Sequence, residues 1–456
     1  MTSTNCDEKD RTAKKPDSGI GESVIRLMTR LSTQYGAVNL SQGFPNEPPP
    51  VSVRLALARA VLTGVPGDAD ASSVSNACAS IESMLQNIQE GEGEGDGGGS
   101  SASFDELNQY SPPMGRPDLR AKIAQHYKRL YDYEVDADQG ITVTLGATEA
   151  VASALRTVGR PGEKAVIFEP YHELYPSQTK IFYMEPEYVT LREDPKAGTW
   201  TFDVDELAAA LDGAKVLLLN TPHNPTGKVF TYHELQIIAD LCVKYDVNII
   251  TDEIYDGMVY EIDGTQHKHM LLPKEFPHVA DRTLVCNSVG KSASATGWRM
   301  GWCLMPSHLT ETYRGVHDQR VVMAPHPMQY AGLTYFDLPQ EYFTETLSTR
   351  YVDRLNTLSS SLRRVGFEVL QPEGAYYLFA KYRGVQQLSE LGPWDAAMFM
   401  VKEVGVACVP GTNFYGSEHA MQNEAQEYLR FAACRSVQDI EAACEKLESA
   451  LSKAKD

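Results

Sequence analysis

Positive charge is scarce in this 456-residue chain: 41 Lys and Arg stand against 61 Asp and Glu, a formal net charge of −20. So acidic a surface repels phosphate backbones and anionic headgroups, which argues against nucleic acid and membrane as partners. Long apolar runs are missing as well. Nowhere do about 18 consecutive apolar residues occur, the length a membrane-spanning helix needs, and Met1 to Lys15 is polar with no apolar h-region. The eight cysteines (Cys6, Cys78, Cys242, Cys286, Cys303, Cys408, Cys434 and Cys444) never form Cys-x-x-Cys, and several fall in apolar runs. They are expected to be reduced core thiols of a cytoplasmic protein, with no metal site. What remains is ordinary globular composition, in a chain long enough for two or three structural units.

Residues 1–19 are polar and expected to be disordered. Val24, Ile25, Leu27, Met28 and Leu31 then give a short helical apolar pattern. A second amphipathic stretch runs from Val51 to Leu62, and a segment over 64–104 follows. Its core, Glu90 to Ser101, interleaves glycine with acid, so burial cannot offset its ordering entropy. Interleaved carboxylates would also repel a pyrophosphate, which excludes a dinucleotide loop there. A shorter helix is expected over Ser75 to Gln89.

From Gly140 to Pro306 short apolar runs alternate with helical patterns. The strands predicted are Ile141 to Leu145, Ala165 to Phe168, Val216 to Leu219, Val247 to Thr251, Thr283 to Cys286 and Arg299 to Met305. Asp203 with Glu206, and Thr231 with Glu234, fit capping boxes. This alternation predicts an α/β fold with a mostly parallel sheet and ligands at the carboxyl ends of its strands. The C-terminal third reads as a smaller α+β unit. Its strands are expected near Phe367 to Leu370, Tyr376 to Ala380, Val404 to Val409 and Tyr428 to Cys434, with helices over Tyr342 to Val365 and from Ser436 onward.

Asn287 to Trp302 sets one lysine, Lys291, in a run of small and hydroxylic residues. Desolvation there lowers the lysine pKa, so the free amine can condense with an aldehyde. Ser288 and Arg299 flank it with a hydroxyl and a guanidinium fork suited to phosphate. A nucleotide P-loop fails, because its first glycine would fall on Val285. Gly146-Ala147-Thr148 follows a strand and opens a helix, so backbone amides and the Thr148 hydroxyl can also bind phosphate.

Together these stretches resemble the class I, fold-type I pyridoxal-phosphate aminotransferases, and within them the kynurenine and glutamine aminotransferases and cysteine-conjugate β-lyases. The resemblance spans residues 20–62 and 105–450 and makes the segment 64–104 an insertion. It implies a large cofactor domain over 51–339 with a seven-stranded, mostly parallel sheet, and a small domain over 340–456. An N-terminal segment over 20–50 would pack on the small domain. Lys291 would form a Schiff base with pyridoxal 5'-phosphate and move the substrate α-proton. Within Asn220 to Gly227, Asn224 matches the donor to the phenolic oxygen of the cofactor, and Tyr255 matches the phenol that contacts the same oxygen. Asp252 matches the carboxylate that keeps the pyridine nitrogen protonated, while Glu253 would be structural.

Counting along Glu169 to Tyr175 puts His172 where the family has a stacking aromatic. An imidazole there could stack or exchange protons; alternatively, His172 lies on the surface and Tyr171 or Tyr175 packs on the ring. In Val38 to Pro50, Gly43 would let the substrate carboxylate approach, and Arg430 would clamp that carboxylate, unless it serves a structural ion pair. Tyr110 matches the tyrosine that reaches the phosphate of the neighbouring subunit, which implies a homodimer. The implied reaction passes the amine of an L-amino acid, aromatic, kynurenine-like or neutral, to a 2-oxo acid. The same residues also suit β-elimination or substitution, or a non-catalytic regulatory relative.

Overall fold

A computed structural model describes residues 23–45, 48–63, 107, 109–194, 196–262 and 264–451. The tail expected over 1–19, the core of the insertion and the helix expected over Ser75 to Gln89 lie outside the described residues.

The larger sheet has seven strands: β1 (Ile141–Thr144), β2 (Lys164–Glu169), β3 (Glu185–Thr190), β4 (Ala214–Asn220), β5 (Asn248–Asp252), β6 (Thr283–Ser288) and β7 (Gly301–Leu304). Their order is β1-β7-β6-β5-β4-β2-β3, and only β7 runs against its neighbours. The apolar runs have a simple cause, because helices cover both faces. Ala165, Ile167, Val216, Leu218 and Ile250 pack on one face with Val151 and Leu155 of the helix Ala147–Val158. Val166, Phe168, Leu217, Leu219 and Ile249 pack on the other with Leu207, Leu211, Leu235 and Ile238 of the helices Val204–Leu211 and Tyr232–Lys244. Alternate residues thus feed opposite cores. Each buried Leu or Ile contributes about 1.5–3 kcal/mol.

Edge strand β3 was not among the predicted strands. Only Val189 and Thr190 are fully buried in it, so it offers no apolar run. Pro186 is tolerated because an edge strand can spare an N–H. Of the two expected capping boxes, Thr231 with Glu234 is complete. The other is half formed. Asp203 accepts from the Asp205 and Glu206 amides, but the Glu206 carboxylate turns to the Thr190 amide and Arg192 instead.

A second, antiparallel sheet holds β8 (Glu368–Val369), β9 (Tyr377–Lys381), β10 (Val409–Pro410) and β11 (Tyr428–Ala432) in the order β8-β9-β11-β10. Helices Leu347–Arg364 and Val437–Leu451 bury Leu355, Leu358, Leu362, Ile440, Ala443 and Leu447 in the core beside it. The single strand expected over Val404 to Val409 is divided. Val406–Ala407 pairs in parallel with Val38–Asn39 near the N-terminus, while Val409–Pro410 joins β11. The Leu40 carbonyl also accepts from the Ala432 amide at 2.8 Å, so the N-terminal segment is stitched to the strand that carries Arg430. Among the described residues no helix is long and apolar enough to cross a membrane.

Candidate active site

The carboxyl ends of β1, β2, β4, β5 and β6 converge on one cavity of about 200 Å³. Lys291 enters it from the helical turn Val289–Ser292, which follows β6 directly, and Ser288 caps that turn by accepting from the Gly290 amide at 3.3 Å. The lysine Nζ donates to the Gly43 carbonyl. Burial brings the amine down to about 8, assisted by Arg430 and Arg299 and opposed by Cys434 and Asp252. A usable fraction is therefore the neutral nucleophile near physiological pH.

Asp252 ends β5, in register with Asn220 at the end of β4. The Asn220 amide ties these ends together, with Nδ2 donating to the Asp252 carbonyl at 2.8 Å and Oδ1 accepting from the Asn224 N–H at 2.7 Å. On the Asp252 carboxylate, Oδ2 accepts from the Tyr175 hydroxyl at 2.7 Å, whereas Oδ1 is buried without a partner. Burial raises this acid to about 6, against the opposing Tyr175 hydrogen bond. Glu253 faces away and is buried against His269, 2.9 Å distant, and the Thr251 hydroxyl.

Arg430, in register with Phe379 on β9, is 1% exposed. It donates to Asn224 Oδ1 at 3.0 Å and to the Ser41 carbonyl at 2.7 Å, and its face lies 4.6 Å from the Tyr377 ring centre. Its Nε has no partner. Among the described residues no carboxylate pairs with it, so the structural ion pair that was its alternative role is not formed. With its oxygen held by Arg430, Asn224 is left its NH2 group as a donor. The Tyr255 hydroxyl lies 2.9 Å from that of Tyr377.

At the other end of the cavity Gly146 precedes the helix Ala147–Val158 with φ +77. A side chain there would put Cβ 2.6 Å from the Arg299 guanidinium, so glycine is what lets the arginine close over the helix start. Arg299 donates to the Thr296 and Leu145 carbonyls and has no carboxylate partner among the described residues. Ala147, Thr148, Ser288 and Gly290 line the wall around it.

His172 lines the cavity edge-on to Tyr175, with ring centres 5.5 Å apart. Its Nδ1 has no partner, and burial, aided by Arg430 and Lys291, lowers the imidazole to about 3. Of the two roles the sequence left open for His172, stacking and proton exchange, this burial favours the neutral, stacking ring. Gly43 also lines the cavity, as a residue meant to let a carboxylate approach should, and it carries a second constraint. A Cβ would sit 2.0 Å from the Tyr377 hydroxyl, so the glycine is needed for backbone approach to Tyr377 and Lys291. Tyr110 stands outside the cavity, 79% exposed, beside Arg116 and His326. Two residues escaped the sequence reading as members of the site. Tyr175, which orients Asp252, was named only as a packing alternative, and Tyr377 was not singled out at all because an apolar strand hides its hydroxyl.

This cavity fits pyridoxal phosphate on several independent counts. The orphaned Asp252 Oδ1 suits a ring N–H, the Arg299 and helix-start cradle suits a phosphate, and the Lys291 amine suits an aldehyde. The family model for aminotransferase class I and II matches residues 74–447. Kynurenine–oxoglutarate transaminase 1 of Homo sapiens is 30% identical over 92% of this chain and 93% of its own length. The kynurenine–oxoglutarate transaminase of Dictyostelium discoideum is 29% identical, covering 92% of each. Among solved structures, a putative kynurenine aminotransferase of Saccharomyces cerevisiae aligns with a TM-score of 0.78 at 26% identity, over 98% of this chain and 99% of that one.

Proposed function

The chain belongs to the aminotransferase class I and II family, and from that premise we propose how this pyridoxal-phosphate-dependent enzyme divides the work among its residues. The observation that carries the reading is Arg430, a buried guanidinium without an ion-pair partner among the described residues, in the cavity that also holds Lys291. A desolvated charge of this kind calls for an anion. An amino acid and its 2-oxo acid share one, the α-carboxylate.

Arg430 clamps that carboxylate, and its bond to Asn224 fixes which end of the amide donates. When bound, pyridoxal phosphate supplies an electron-withdrawing ring that stabilises negative charge at the carbon bearing the amine. Asp252 Oδ1 holds a proton at the ring nitrogen, and Tyr175 holds Asp252. Asn224 and Tyr255 donate to the ring oxygen, and His172 packs on the ring as a neutral platform. The start of the helix Ala147–Val158, Gly146, Thr148, Ser288 and Arg299 hold the phosphate. Lys291 Nζ would take the proton from the substrate α-carbon and deliver it across the intervening nitrogen to the former aldehyde carbon, which leaves the amine on the cofactor. Residues 51–339 carry these groups on the larger sheet, and the small domain over 340–456 brings Arg430.

We propose aromatic, kynurenine-like or neutral L-amino acids as donors and 2-oxoglutarate as an acceptor, supported by relatives named kynurenine–oxoglutarate transaminases. The exposed Tyr110 supports a homodimer in which it completes the neighbouring site. Six described cysteines are buried and unbonded, which suits the reducing cytoplasm. The test is Arg430→Gln, assayed over a panel of amino acids and 2-oxo acids. KM should rise by about 10- to 100-fold for donor and acceptor alike, on the scale of a lost charged hydrogen-bonded pair. An unchanged KM for both would exclude the clamp.

A further inference from the structure

Six formally charged side chains line the cavity: Arg26, Lys291, Arg299 and Arg430, with Asp252 and Glu173. Under the proposed function, on which this inference rests, four of them have their counterparts. Arg299 faces the phosphate, Lys291 the aldehyde, Asp252 the ring nitrogen and Arg430 the α-carboxylate. Glu173 is already engaged, with Oε1 accepting from the Ser23 hydroxyl and Oε2 from the Asn413 amide. Arg26 is left over.

Arg26 lies in the first turn of the helix Val24–Gln34, next to Ile25, which lines the same cavity. Its backbone N–H points to the Ser23 hydroxyl oxygen at 3.4 Å. Its guanidinium makes no hydrogen bond or ion pair among the described residues, although 61 carboxylates make the chain strongly acidic. Arg26 is exposed where Arg430 is fully buried, so the two arginines mark the mouth and the floor of one cavity. For a substrate held at Arg430 by its α-carboxylate, Arg26 is the remaining cation of the cavity lining that a second anionic group could use.

We propose that Arg26 is a specificity-determining residue that binds the distal carboxylate of a dicarboxylic 2-oxo acid, the amino acceptor, while neutral and aromatic substrates pass it without using its charge. An arginine fork suits a carboxylate better than an ammonium does, and its exposure keeps the contact weak enough for product to leave.

The test is Arg26→Gln in the holoenzyme, with one amino donor and two acceptors, 2-oxoglutarate and the neutral 2-oxo-4-methylthiobutyrate. Calorimetric binding of glutarate and of butyrate provides a readout independent of turnover. The variant should lose about five- to tenfold in kcat/KM for 2-oxoglutarate and in glutarate affinity, as expected for one partly solvated charge pair. The neutral acceptor and butyrate should be unaffected, added salt should narrow the wild-type difference, and Arg26→Lys should recover part of the loss. Equal losses for both acceptors, or no loss for either, would overturn the assignment. Failure of the wild type to transfer an amine to any acceptor would sink the proposed function instead, while the glutarate-to-butyrate ratio still reports on Arg26.

Discussion

Asp252 offers a sharp test because its catalytic fitness should carry a measurable stability cost. Burial raises the acid from its ordinary 3.8 to about 6. At ~1.4 kcal/mol per pKa unit, ionising it in the folded, cofactor-free protein costs about 3 kcal/mol. The direction follows from linkage: a folded-state pKa above the unfolded value means the native protein binds more protons between pH 4 and 6. Stability contributed by Asp252 is thus full below pH 4 and lost as pH rises through 6. Asp252→Asn removes the charge while keeping the shape. Cofactor-free Asp252→Asn should therefore be more stable than cofactor-free wild type by up to about 3 kcal/mol at pH 8, and nearly equal to it near pH 4, in urea titrations at each pH. With the cofactor restored the order should reverse, because the wild-type carboxylate then has its partner. A cofactor-free variant that is less stable than wild type at pH 8 would show the opposite, that Asp252 is already compensated without the ring.

Two further outcomes follow from neighbouring residues. His172→Phe should preserve transamination and leave the rate–pH profile near neutrality unchanged, because the imidazole sits at about 3 and carries no proton there; loss of a limb near pH 6.5 would restore it as a proton carrier. Tyr110→Ala and Lys291→Ala should each be impaired alone, yet mixed and refolded together they should regain part of the activity, since a hybrid dimer holds one site with an intact Lys291 and a partner-supplied tyrosine. No recovery in hybrids verified by mass would place Tyr110 outside the shared site.

The large sheet was legible because its strands are buried on both faces, so Val216 to Leu219 and Thr283 to Cys286 read as unbroken apolar runs. Edge strand β3 was not, since Glu185, Pro186 and Glu187 face solvent at least in part. The site residues that close strands or open helices could be read in order along the chain, and eleven of the thirteen line one cavity. Gly146 sits immediately beside it and Tyr110 stands apart. Distance along the chain concealed the rest. The bond from Tyr175 to Asp252 spans 77 positions, and that from Arg430 to Asn224 spans 206; neither spacing leaves a local signal. The ionisation of His172 was equally hidden, because it depends on what surrounds the ring in three dimensions rather than on its neighbours in sequence.

In the proposed function Lys291 drives amine transfer between an amino acid and a 2-oxo acid. The most direct measurement follows the label from a ¹⁵N-amino donor, kynurenine or an aromatic amino acid, with 2-oxoglutarate as acceptor, in wild type and in Lys291→Ala. Mass spectrometry of wild-type reactions should show ¹⁵N-glutamate and the donor's 2-oxo acid or its cyclised product in equal amounts, and the variant should show neither, along with loss of the visible absorbance of the bound cofactor. Label released from wild type as free ammonium without ¹⁵N-glutamate, or a purified Lys291→Ala enzyme that transfers label at the wild-type rate, would contradict the account.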